Sequence, residues 1–156
     1  MGWTDSHLHD FHWRGKRFGG PDPELDGDQV IDEDPVTLKK LGLSVQARLN
    51  SRYDFGDGWD HVLTVEQVLA AGERQTPVCL NGARSCPPED CGGGWGYANL
   101  LNILQDPTHK EYAEWKAWLP EDFDPERCDL AEVNSGLSVS QWNLAPPSRK
   151  GRRKTV

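Results

Sequence analysis

No stretch of this 156-residue chain approaches the roughly 20 consecutive apolar residues that a membrane-spanning helix needs. No apolar core follows Met1, so no secretory leader is read there. The chain lacks the Gly-x-Ser-x-Gly elbow of a serine hydrolase. It also lacks the Lys-Ser/Thr of a phosphate-binding loop, and no Gly-x-Gly-x-x-Gly follows a strand. Its four cysteines include no Cys-x-x-Cys pair. Basic residues are scarce outside the last nine positions. That tail holds Arg149, Lys150, Arg152, Arg153 and Lys154, and removing these five from 17 leaves 12 bases against 25 acids, a body of about −13. So acidic a body argues against general nucleic-acid affinity, because phosphate binding needs a basic face. The basic segment 149–154 is the one place fit to touch nucleic acid or an acidic partner. The expected location is cytosolic, with the cysteines reduced.

Period-2 alternation carries the fold reading. Ser6 to Trp13 alternates as a strand, with His7, His9, Phe11 and Trp13 on one face. Arg14-Gly15 turns into a short returning strand, Lys16 to Phe18. Residues 19–34 read as loop, and Val36 to Leu41 as one or two helical turns with Leu38 and Leu41 inward. Leu43 to Phe55 is the clearest strand, its face of Val45, Ala47, Leu49, Ser51, Tyr53 and Phe55 directed at the core. Gly56-Asp57-Gly58 supplies a tight reversal. Trp59 to Val68 returns with Trp59, His61, Leu63 and Val65 on one face.

A short strand is expected at Pro77 to Leu80, and an irregular loop over 81–95. Tyr97, Leu100, Leu101 and Leu104 have the spacing of a helix face, which Pro107 ends. Thr108-His109-Lys110-Glu111 reads as a capping box opening a helix with Tyr112, Trp115 and Leu119 on one side. Asp129 to Glu132 signals a last helix, packed by Val133 and Leu137. The expected architecture is α+β, one domain over residues 1–137. Its antiparallel sheet is built on a central 43–68 hairpin and covered by C-terminal helices. Residues 138–156 form a loop and a basic, disordered tail.

Two groups of residues could carry chemistry. The first is Cys79, Cys86 and Cys91, with His61 or Cys128 as a fourth donor, a thiolate and imidazole set of the kind zinc takes. The plainer alternative is that these cysteines are small buried hydrophobes. The second is Asp54, Asp60 and His61 of the hairpin, with His7 and His9 if their strand neighbours it. Imidazoles and carboxylates together suit a divalent metal with an open position, or general acid–base work. Structural roles compete here too. Asp57 between glycines is explained by turn chemistry, and Asp54 by accepting backbone N–H bonds.

The motifs form an ordered set. Gly2-Trp3 precedes His7-Leu8-His9-Asp10-Phe11, then Tyr53 to His61, then Cys79-Leu80-Asn81-Gly82. Cys86-Pro87-Pro88-Glu89-Asp90-Cys91-Gly92-Gly93, Trp95-Gly96-Tyr97 and Phe123-Asp124-Pro125 follow. In that order and spacing, over residues 2 to 137, the chain resembles the plasmid pRiA4b ORF-3-like family. The resemblance implies a small α+β domain found on plasmids, mobile elements and bacterial chromosomes, and it names no reaction. It also implies a strand and a helix before the Gly-Trp pair, where this sequence has only Met1. The shortened sheet is expected to expose apolar surface and to self-associate. The function expected is a small binding or accessory module for a protein or small ligand, acting through a polar cleft between the hairpin and the 79–97 loop. The competing expectation is a metal-dependent hydrolase or nuclease using the His/Asp cluster.

Overall fold

A computed structural model of the chain describes residues 2–21, 29–70 and 76–139, so the basic tail lies outside the described residues. The elements in chain order are β1 (His9–Trp13), β2 (Lys16–Gly19), β3 (Val30–Asp32), α1 (Leu38–Leu41), β4 (Arg48–Tyr53), β5 (Trp59–Thr64), α2 (Gly93–Leu104), α3 (Tyr112–Trp118) and α4 (Leu130–Val139). The α+β class is as the alternation predicts. The five strands form one sheet in the order β3-β2-β1-β4-β5. All neighbours are antiparallel except β2 and β3. β1 lies in the middle, and the β4–β5 hairpin occupies one side with β5 at the edge.

Backbone conformation trims the long strand foreseen at 43–55. Gln46 and Asp54 take positive φ, 66° and 55°, and β4 runs between them. Gln46 and Ala47 both bond to Val65, two residues against one, which is a β-bulge. Past Asp54 the alternation is lost. Phe55 therefore leaves the core and stands 44% exposed, with the Arg17 guanidinium over its ring. No strand forms at Pro77 to Leu80. That segment instead bonds to a side chain, the Asn134 amide accepting from Cys79 N–H and donating to Cys79 O.

Cross-strand register sorts the sheet into two faces. One carries Phe11, Phe18, Leu49, Tyr53, Trp59 and His61. The other carries Asp10, His12, Arg17, Asn50, Arg52, Asp60 and Val62. Phe18, Leu49 and Tyr53 are buried on the first. Trp3 stacks on Tyr53 at 4.8 Å, leans on Trp59 and donates its indole N–H to Pro87 O, closing the N-terminal segment over that face. On the second face Asp10 is buried, held by Arg17 Nε at 2.6 Å.

The helix face read from leucine spacing is present in α2, where Leu100 and Ile103 are buried. Leu119 is buried and Trp115 half-buried, as foreseen. The capping box is not. Thr108 donates its hydroxyl to Asp106, and Glu111, at the N-cap of α3, makes no side-chain cap bond; its N–H goes to His109 Nδ1 instead of the Thr108 oxygen. Asp129 does cap α4, accepting from Ala131 and Glu132 N–H. Val133 and Leu38 stand exposed, so neither packs inward as expected. Among the described residues no helix is long and apolar enough to cross a membrane.

Candidate functional site

The turn end of the β4–β5 hairpin is where three distant segments meet: residues 2–7, the hairpin tip, and the loop that leads into α2. Asp54 organises the tip. Its N–H donates to Leu8 O, and its carbonyl accepts from Gly58 N–H. Its Oδ1 accepts from the N–H groups of Gly56 and Asp57 at 2.9 and 3.3 Å. Asn and Asp tolerate the left-handed region better than most residues because the side chain bonds its own turn. Asp54 is thus buried and fixed, with one oxygen committed and Oδ2 left facing His7.

The incoming loop is tied to the tip by Glu89, Asp57 and two glycines. Glu89 accepts from Tyr53 O–H, Thr4 N–H and O–H, and Ser6 O–H. Those donors, Tyr53 first, hold the Glu89 carboxyl below its ordinary range. Burial, followed by that same bond, raises the Tyr53 phenol. Asp57 Oδ2 accepts from Gly92 N–H at the start of α2. A Cβ on Gly93 would run into Asp57 O, and one on Gly96 into Cys91 O, so the helix end lies backbone-on-backbone against the turn.

These ties bring His7, Asp54 and Asp90 together. His7 stands edge-on to Tyr53. One of its ring nitrogens lies 3.6 Å from Asp54 Oδ2 and the other 3.4 Å from Asp90 Oδ1. One donor atom from each of the three residues falls within 4.8 Å of the other two. Among the described residues this is the one such group of three or more. Asp54 and Asp90 both hold positive φ, 55° and 59°. Asp90 is 73% exposed, so the set opens to solvent on one side.

The other residues singled out from sequence go elsewhere. His9 bonds Glu33 at 2.8 Å and lies 3.5 Å from Asp5. Asp60 is on the opposite face of the sheet, bidentate to Arg52 at 2.7 and 3.1 Å, and that guanidinium holds its carboxyl down. His61 lies under the edge of Trp3 with a buried Nδ1 that has no hydrogen-bond partner. Cys79, Cys86, Cys91 and His61 do not converge. Asn134 draws the Cys79 backbone to α4, Cys86 packs behind Gly2, and Cys91 is buried beneath the start of α2. Burial pushes the Cys86 thiol up. Burial, with the Asp57 carboxylate second, pushes Cys91 up to about 11, which makes neither a ready thiolate. Cys128 is exposed beside Gly82.

Sequence reasoning missed Asp90 and Glu89. The signal was two successive acids after Pro87-Pro88, between cysteines that drew attention to themselves. A cleft of about 400 Å³ on the outer sheet face, lined by His12, Asn50, Arg52, Asp60, His61 and Val62, was also not foreseen.

Known proteins share this arrangement of chain. A family model described as plasmid pRiA4b ORF-3-like protein matches residues 1–132. An uncharacterised protein, y4hQ, of Sinorhizobium fredii (strain NBRC 101917 / NGR234) is 38% identical over 159 residues, covering 99% of this chain and 79% of that protein. The crystal structure of MM3350, a protein of unknown function from Methanosarcina mazei Go1, superposes with a TM-score of 0.73 at 34% identity, covering 85% of this chain and 75% of that one.

Proposed function

The chain belongs to the plasmid pRiA4b ORF-3-like family, and from that premise we propose that it is a small cation-dependent binding module whose ligand-handling group is His7, Asp54 and Asp90. The observation that carries this reading is the triad itself. One imidazole and two carboxylates, each from a different segment, offer donors within 4.8 Å of one another. One nitrogen and two carboxylate oxygens are donors that Mn²⁺ and Zn²⁺ both accept. The bound cation would join the N-terminal segment, the hairpin and the 79–92 loop, and would present open coordination positions on the exposed side of Asp90. A protein carboxylate or a small anionic ligand is the partner chemistry that fits. The plasmid setting is supported by the family description alone; the accessory role and the cytosolic location belong to the proposal.

The test is calorimetric titration of Zn²⁺ and Mn²⁺ into chelator-treated protein without a histidine tag. One equivalent is expected, with affinity falling at least tenfold in His7→Ala and in Asp90→Asn while both stay folded. Absence of saturable binding, or binding indifferent to both changes, sinks the reading. A hydrolase is the second reading, because three protein ligands leave room for a metal-bound water. It requires cation-dependent cleavage of a phosphate ester that His7→Ala abolishes.

A further inference from the structure

We infer that Glu89 is the positioning residue of the His7, Asp54 and Asp90 group: its one carboxylate gathers the three segments that carry them and sets the spacing of their donor atoms. Its functional sense rests on the cation reading of that group. Its geometry stands on bonds that no cation supplies. The first support is adjacency. Glu89 accepts from Ser6 O–H at 3.3 Å, one residue before His7. It accepts from Tyr53 O–H, one residue before Asp54. It is itself the residue before Asp90. Thr4 adds its N–H at 3.4 Å and its O–H at 2.8 Å. One side chain thus reaches the immediate neighbour of every donor in the group, across 83 residues of sequence to Ser6 and 36 to Tyr53.

The second support is the chemistry of the junction. Four donors converge on Glu89, and an ionised carboxylate is acceptor-only, with room for about four bonds on its two oxygens. Bonds to a charged acceptor are also stronger than neutral ones. Tyr53 is buried, stacked on Trp3 and edge-on to His7 at 5.8 Å, so the carboxylate is gripped from a packed wall.

The third support is the mounting of Asp90. It is 73% exposed and takes positive φ between Glu89 and the buried Cys91. Its placement is therefore set by the clamps on either side of it in sequence. The bond from Gly92 N–H to Asp57 ties it to the hairpin alone. Glu89 ties it both to the hairpin and to the segment bearing His7. The bond from Trp3 to Pro87 O joins the N-terminal segment and the loop as well, but farther in sequence from both His7 and Asp90.

The test titrates Mn²⁺ calorimetrically into the chelator-treated full chain, beside histidine side-chain NMR without cation. Glu89→Ala should lower Mn²⁺ affinity about tenfold, the usual worth of an outer partner of a metal ligand. It should move the His7 resonances and leave those of His9. Glu89→Gln should recover most of the affinity, since its amide still accepts from Tyr53 and can donate to the Thr4 hydroxyl. Tyr53→Phe keeps the ring and loses the donor, so it should cost about threefold alone and nothing further on top of Glu89→Ala. Glu33→Ala strips His9 of its partner and controls for general loosening; it should leave Mn²⁺ affinity unchanged. Equal losses in Glu33→Ala and Glu89→Ala, an additive loss in the double variant, or unmoved His7 resonances in Glu89→Ala overturn the inference. If the wild type binds no Mn²⁺, the cation reading falls, and the His7 resonances decide by themselves whether Glu89 positions that residue. If Glu89→Ala does not fold, Tyr53→Phe with unaltered His7 resonances overturns the inference.

Discussion

His7 and His9 stand two residues apart on the segment that enters β1, each 28% exposed and each flanked by two carboxylates. His9 has closed on one of its acids, with Glu33 at 2.8 Å. His7 has closed on neither, with Asp90 at 3.4 Å and Asp54 at 3.6 Å. The difference lies in how the acids are mounted. Glu33 brings a longer side chain from the end of β3, anchored by its N–H to Gly19 O. Asp54 is short and already spends one oxygen on the Gly56 and Asp57 amides, so it cannot swing inward. A flexible acid completes an ion pair. A fixed one leaves a gap between three donors, the gap that the proposed cation would fill.

The largest way to break this contrast is Trp3→Ala. It removes the stack on Tyr53 and the bond to Pro87, at a cost of about 3 kcal/mol in denaturant melts. It should also release the segment bearing His7 while leaving His9 on Glu33, since that pair spans β1 and the end of β3. Histidine NMR resonances report this, and equal disturbance of both would contradict it. A smaller effect sharpens the contrast. His9→Ala should lose about 1 kcal/mol, the worth of a partly exposed charge-assisted bond, and His7→Ala less than about 0.5 kcal/mol without cation.

The smallest effect concerns Glu89, the saturated neighbour of Asp90. Its folded pKa is depressed by Tyr53 and Thr4, so its contribution is present above the ordinary carboxylate range and is lost as pH falls through the depressed value. The stability advantage of the wild type over Glu89→Gln should therefore be largest at neutral pH and shrink on acidification. Urea melts at both ends of that range decide it, and an advantage that grows in acid would refute it.

Local chemistry was legible in the sequence, and long-range partnership was not. The alternation at 48–53 and 59–64, the leucine spacing of α2 and the Asp129 cap all depend on residues a few positions apart. The failures share another cause. The expected strand at 77–80 was captured by Asn134, 55 residues away in sequence for Cys79; the box at Thr108 is the local exception, its Glu111 N–H taken by His109 Nδ1. His7 and Asp54 stood among the polar candidates of the sequence, beside Asp60 and His61, which the fold puts elsewhere. Asp90 did not, because only the fold carries it across to His7 and Asp54. The cysteines misled because spacing shows which thiols could meet and says nothing of which way a Pro/Gly-rich loop turns.

The glycine run at the start of α2 acts as a mould. At positions 92, 93 and 96 the space a side chain would take is occupied by backbone: Gly96 itself, the Asp57 carbonyl and the Cys91 carbonyl. At Gly94 nothing lies within 4 Å. Sequence drift in this run is therefore channelled to a single position. A lineage carrying the fold can dress Gly94 freely, and beside the exposed Trp95 it can change what the helix end shows to solvent without unseating the turn that holds Asp54.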